Sequence, residues 1–158
     1  VLYALPPSDL QKMMVGETIT RAGYRYANLV TGYHRCLPGL VQSGCRLLID
    51  NAWLELSEKI ELLTLLAPFN LFMVGVKCDR EVAKMREKAR GDRAIGLVEK
   101  EFPLVHQHLT YDFVVDTSRL LPEEGARLVQ TAVSTQPANI GLQATLKTLH
   151  TFLEVENK

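Results

Sequence analysis

The sequence predicts an α/β fold, a parallel sheet sandwiched between layers of helix. Three observations carry that expectation. Short apolar runs alternate with helical stretches, the order that a parallel sheet with crossover helices produces. The runs "CRLLID" (45–50), "LFMVGVK" (71–77) and "DFVVDTS" (112–118) are largely apolar, as strands buried on both faces are. Each is closed by polar residues, Asp50, Cys78–Asp79 and Asp116–Thr117. In such sheets, ligands bind beyond the carboxyl ends of the strands.

The elements follow in order. "LPPSDLQKMMVG" (5–16) reads as a turn or short helix capped by Ser8 or Asp9. From about residue 25 to 43, Leu29, Tyr33, Cys36, Leu37, Leu40 and Val41 recur at helical spacing. Pro38 is expected to kink or split that helix, and Gly44 to end it. The first strand, 45–50, comes next. "LSEKIELLTLLAP" (56–68) is a helix stopped before Pro68, and 71–77 is the second strand. A helix over about 80–90, capped by Asp79, carries a row of arginines. "AIGLVEKEFPLVHQH" (94–108) has a helical pattern interrupted by Pro103. After the third strand, "LPEEGARLVQTAVS" (121–134) opens with Pro122 and two acids, a helix start. The last helix, "IGLQATLKTLHTFLEVE" (140–156), sets Ile140, Leu142, Leu146, Leu149, Phe152 and Leu153 roughly on one face.

The 158 residues are enough for one domain with a real core. We expect residues 1–158 to form that single domain, with 135–158 as an extra C-terminal helix. The 18 basic and 18 acidic side chains cancel, so nothing global calls for nucleic acid or an anionic membrane. Cys36, Cys45 and Cys78 have no metal-binding spacing, and their odd count favours reduced thiols in a cytoplasmic protein. No apolar run is long enough to span a bilayer. The chain starts "VLYALPPSDL", without Met or a signal-peptide pattern, and is expected to begin inside a longer polypeptide.

Three places could carry chemistry. Arg86, Arg90 and Arg93 are spaced four and then three apart, which keeps them on one helix face. Each guanidinium offers a forked donor pair that suits phosphate oxygens. The competing reading pairs them with Glu81, Glu87 and Asp92 at the surface, where an exposed ion pair contributes ~0–1 kcal/mol. Asp50, at the end of an apolar run, suits Mg²⁺ coordination in a nucleotide-binding fold or a simple turn cap. Asp116, Thr117 and Ser118 could line a nucleotide-base pocket, or cap the next helix. His34, His106, His108 and His150 share no metal spacing, and Ser8, Ser43 and Ser57 show no nucleophile-elbow pattern.

"GCRLLIDNAW" (44–53), "VGVKCDREVAKMREKARGDRAIG" (74–96) and "LVHQHLTYDFVVDTS" (104–118), with the helix that follows, resemble the chloramphenicol phosphotransferase family. These are small-molecule kinases of the P-loop fold. The resemblance covers about residues 23–133, and its "VGV-x-CD … R-x-x-x-RGDR" block is its most specific part. It implies a P-loop-kinase-like three-layer sandwich using ATP and Mg²⁺ to phosphorylate a hydroxyl of a small molecule. On that basis Arg86, Arg90 and Arg93 match the family's lid arginines, which stabilise charge during transfer. Asp50 matches the acid of the Walker-B-like strand, and Asp116 and Thr117 match the region near the adenine. The segment "GYRYANLVTGYHRCLPGLVQSG" (23–44) corresponds, more loosely, to helices beside the acceptor.

The chain also departs from the family. None of its ten glycines is followed by Lys, so the phosphate-cradling loop G-x-x-x-x-G-K-[ST] does not occur within it. The family's acceptor base aligns just before Val1, and a central strand is lacking with it. The resemblance therefore implies a sandwich that is N-terminally incomplete. It leaves two expectations, a piece of a complete kinase or an inactive kinase-like remnant that serves as a binding module. For the second, the helix at 140–156 is the expected homo-oligomer contact.

Overall fold

The computed structural model describes residues 10–15, 17–22, 24–90 and 95–156. Strand β1 (Leu10–Val15) pairs antiparallel with β2 (Glu17–Ala22), in a register running from Leu10↔Ala22 to Val15↔Glu17. The part of the 5–16 stretch that is described is thus strand rather than turn or short helix. Its partner supplies the reason: "ETITRA" contains Thr18, Ile19 and Thr20, β-branched residues that favour extended chain. A pairing across the hairpin overrides a weak local helix preference.

Helix α1 (Tyr24–Gln42) runs unbroken through Pro38. Proline there forfeits the N–H that would reach the His34 carbonyl, but it does not split the helix. Gly44 ends it as expected. It takes φ +90°, and Cys45 N–H reaches back to the Leu40 carbonyl at 3.0 Å, the reverse-turn closure that a left-handed glycine allows.

Residues 45–50, expected as the first strand, form none. A parallel strand exists only through a neighbour's hydrogen bonds. Among the described residues, β3 (Val74–Lys77) pairs with β4 (Phe113–Asp116) alone. Without a ladder the apolar run splays, so Ile49 packs against the core while Leu48 is 99% exposed. The second strand is also shorter than expected, beginning at Val74.

β3 and β4 are parallel, with Val74 beside Phe113 and Lys77 beside Asp116. Because side chains alternate along a strand, Val115 and Gly75 face opposite sides. Val115 faces helix α5 (Pro122–Thr135), where a Cβ on Gly125 would lie 3.9 Å from it. Gly75 lies against the Tyr111 ring, and a Cβ there would come within 2.6 Å of Cδ2. Cover is partial, since Val76 and Val114 remain exposed; the small parallel sheet among helices is compatible with an α/β fold. One core cluster joins α2 (Leu56–Leu66), the approach to β3 and α6 (Ile140–Glu156) through Leu63, Met73, Leu142 and Leu149. A second, Leu37, Leu62 and Leu66, joins α1 to α2. Helix α4 (Leu97–Val105) contains Pro103 without interruption and is tied to α2 by Lys59, whose Nζ donates to the Leu104 and Gln107 carbonyls at 2.8 and 3.1 Å. No helix among the described residues is long and apolar enough to cross a membrane.

Candidate functional site

Helix α3 (Arg80–Arg90) leaves the carboxyl end of β3 through Cys78 and Asp79. Asp79 caps it as its position predicts: Oδ1 accepts the N–H groups of Glu81 and Val82 at 2.8 and 3.3 Å. The carboxyl end of β4 then grips α3 at two points. Ser118 Oγ accepts the Asp79 N–H at 2.8 Å. One residue earlier, Thr117 receives the Arg86 guanidinium on both of its oxygens. Nη1 donates to Oγ1 at 3.1 Å and Nη2 to the carbonyl at 2.6 Å. Thr117 is itself fixed to β3, its N–H and its hydroxyl both donating to the Lys77 carbonyl at 2.7 and 3.0 Å.

Asp116 is exposed and joins this cluster through Ser118. Its Oδ1 accepts the Ser118 hydroxyl and the Ser118 N–H. Those two bonds, with the nearby charge of Arg119, hold its carboxyl below the usual carboxylate range. Asp79, Val82, Asp116, Ser118, Arg119 and Leu120 line a cleft of about 590 Å³. Arg86 lies one turn beyond Val82 on the same helix face. The cleft lies at the ends of parallel strands, where ligands bind in such sheets, and Arg119 is the guanidinium among its lining residues, beside the carboxylates of Asp79 and Asp116.

The structure brings together Arg86, Asp116 and Thr117 among the residues nominated from sequence. Arg90 ends α3 one turn further along, and Arg93 lies outside the described residues. Two of the acids proposed as surface partners, Glu81 and Glu87, have other partners. Glu81 accepts from Lys84 at 2.8 Å. Glu87 accepts the N–H groups of Gly96 and Val98 at 3.0 and 2.9 Å, fixing the start of α4. These bonds lower its carboxyl pKa. Asp92 lies outside the described residues.

Asp50 is exposed and lines a different recess, of about 660 Å³, along β3 with Trp53, Val74, Val76, His106 and Tyr111. Among the described residues no group of three His, Cys, Asp or Glu could hold a metal ion. Mg²⁺ does not require one, since it is commonly held by one or two carboxylates, waters and the phosphates of its substrate. Asp50 supplies one carboxylate, in a recess other than the cleft that Asp116 and Ser118 line. Arg119 was missed from sequence; its one signal was adjacency to "DTS". Two histidines have partners that spacing did not show. Buried His34 lies 3.1 Å from Glu61 Oε2 across α1 and α2, and His106 Nδ1 lies 2.6 Å from the Tyr111 hydroxyl.

Comparison with known proteins adds the family. Curated proteins give no match to the chain. The family model described as chloramphenicol phosphotransferase-like protein matches residues 7–134 of the 158. That stretch contains Asp50, Arg86, Arg90, Arg93, Asp116 and Thr117, and it stops short of α6. The chain therefore belongs to the chloramphenicol phosphotransferase-like family.

Proposed function

We propose that this chain acts as an ATP-dependent phosphotransferase of the P-loop-kinase type, on a hydroxyl of a small molecule. The observation that carries the reading is Arg86, held by Thr117 at the carboxyl ends of two parallel strands. Family membership supports it. In the reaction the acceptor oxygen bonds to the γ-phosphorus, the β–γ bridge breaks, and ADP leaves. The transferred group spreads negative charge over its outer oxygens, and positioned guanidinium groups stabilise that charge. Arg86, Arg90 and Arg93 are the donors for that role. Asp50 is the residue to hold Mg²⁺, which when bound neutralises charge on the nucleotide's phosphates. Of the two residues expected near the base, Asp116 and Thr117, Asp116 lines the cleft and is the one to contact it.

The test is ATP turnover by the native full-length polypeptide, with chloramphenicol and other hydroxyl compounds as acceptors. Arg90→Ala is expected to weaken nucleotide binding or turnover by on the order of 1–3 kcal/mol, the range for a charged hydrogen bond. A surface ion pair would instead leave nucleotide response unchanged and alter stability by less than ~1 kcal/mol. A native polypeptide that neither binds nor turns over MgATP overturns the reading.

A further inference from the structure

We infer that Thr117 is a positioning residue for Arg86 and not a contact to the nucleotide base. The inference rests on the phosphotransferase reading above and deepens it. A threonine hydroxyl has one donor and two acceptor sites. Here the donor goes to the Lys77 carbonyl, and an acceptor takes Arg86 Nη1. The Thr117 carbonyl takes Nη2, and its N–H goes to Lys77. Every polar atom of Thr117 is thus engaged within the protein, and neither Thr117 nor Arg86 lines the cleft that Asp116 and Ser118 border.

Arg86, by contrast, keeps capacity. A guanidinium carries five N–H donors, and Thr117 takes two. The other three remain for an anion. A flexible arginine loses rotamer freedom when it grips a ligand. Holding the fork beforehand on a residue fixed to β3 removes part of that cost, which is preorganisation in the ordinary sense. The adjacent bond from Asp79 N–H to Ser118 Oγ fixes the first turn of the same helix. Two consecutive residues at the end of β4 thereby set both the position of α3 and the aim of its first clamp arginine.

The experiment is a double-mutant cycle in the native full-length polypeptide. Thr117→Val and Thr117→Ser are made alone and with Arg86→Ala, and kcat and KM for MgATP are measured. Thr117→Val keeps the shape and both backbone groups, so the Lys77 carbonyl retains the Thr117 N–H. We expect kcat/KM to fall roughly fivefold in Thr117→Val, the scale of one lost hydrogen bond. Thr117→Ser should restore it, and Thr117→Val should add nothing once Arg86 is Ala. An equal loss in both backgrounds, or no loss in either, overturns the inference. A second readout separates it from the kinase reading. The Arg86 Nε–H resonance should show restricted side-chain rotation in wild type and Thr117→Ser, weakened in Thr117→Val, where only the bond to the backbone carbonyl is left, and it should shift on adding inorganic tripolyphosphate. Restricted rotation without any MgATP turnover leaves the pin in place and refutes the kinase reading. Free rotation in wild type refutes the positioning role itself, and restricted rotation with no shift on tripolyphosphate refutes the phosphate contact of the kinase reading.

Discussion

His106 shows how one side chain couples this structure to pH. Its Nδ1 lies 2.6 Å from the Tyr111 hydroxyl, and the two rings meet edge to face at 5.6 Å. Burial lowers the imidazole pKa, the charges of Lys77 and Lys59 lower it further, and a bond to the Val76 backbone partly opposes them. Burial also pushes the Tyr111 phenol up to about 12, so both rings are neutral near pH 7. In the unfolded chain a histidine takes its proton near pH ~6.5; in the fold it does so only at lower pH. Between those two values the unfolded state binds more protons, so stability falls as pH falls through that window. His106→Asn is expected to flatten the decline of melting temperature as pH falls below about 6.5, relative to wild type; an unchanged slope would put the titration elsewhere. Lys59 gives a second residue-level prediction. It is 2% exposed, and burial lowers its pKa. Lys59→Met removes the Nζ donor from both carbonyls; Leu104 keeps the Gln107 N–H at 3.1 Å while the Gln107 carbonyl loses its Lys59 bond, so unfolding in urea should show a loss of about 1–3 kcal/mol. Neither partnership was legible in the sequence. Positions 106 and 111 meet only because the chain turns through His108 at φ +62°, a conformation uncommon outside glycine and invisible to periodicity.

At the scale of elements, local chemistry was readable and long-range pairing was not. The Asp79 cap, the Pro122 start and the Gly44 stop are each decided by a few neighbouring residues, and all three appear as expected. The first expected strand depended on a partner, and "CRLLID" reads alike whether or not a ladder exists to hold it. Asp112 illustrates what sequence hides. It was read as the opening of a strand, yet its carboxylate joins three segments, Oδ2 accepting Met73 N–H at 2.7 Å and Oδ1 accepting Gly141 N–H at 2.8 Å. It thereby fixes the start of α6 against the entry to β3. Asn139 completes the corner by exchanging two bonds with Leu71, its Oδ1 accepting at 2.8 Å and its N–H donating at 3.0 Å. Asp112→Ala strands two amides at once, and a loss of roughly 2–4 kcal/mol in chemical unfolding is expected from two such bonds. Gly141→Ala tests the same corner sterically. Its Cβ would fall 2.7 Å from Asp112 N and 2.8 Å from Tyr111 C. Backbone atoms cannot rotate away, so the helix must shift. Full retention of stability in either variant would mean that the corner does not anchor α6.

For the whole molecule, the question is whether α6 is an addition or part of the core. The family match ends at residue 134, before α6 begins, which by itself marks the helix as peripheral. Packing says otherwise. Leu142 and Leu149 are two of the four buried residues in the cluster that joins α2 to the entry of β3, and Thr145, wholly buried, exchanges hydrogen bonds with Thr110. The apolar stripe was legible in the sequence; what it covers was not, because spacing gives a face and never its partner. That face is used within the chain, so a homo-oligomer built on α6 would have to draw on its outer side, where Ile140 is exposed. Leu149→Ala should cost about 2–5 kcal/mol, the range for a buried leucine truncated to alanine. At about 2–4 °C per kcal/mol for a domain of this size, that is a melting point lower by on the order of 10 °C. Removal of residues 140–158 should go further. It uncovers Leu63 and Met73 together, and the remaining chain should lose its cooperative thermal transition and bind an apolar dye. A shortened chain that melts cooperatively near the wild-type temperature would show that α6 is an accessory, and that the fold's core closes within the family-matched residues alone.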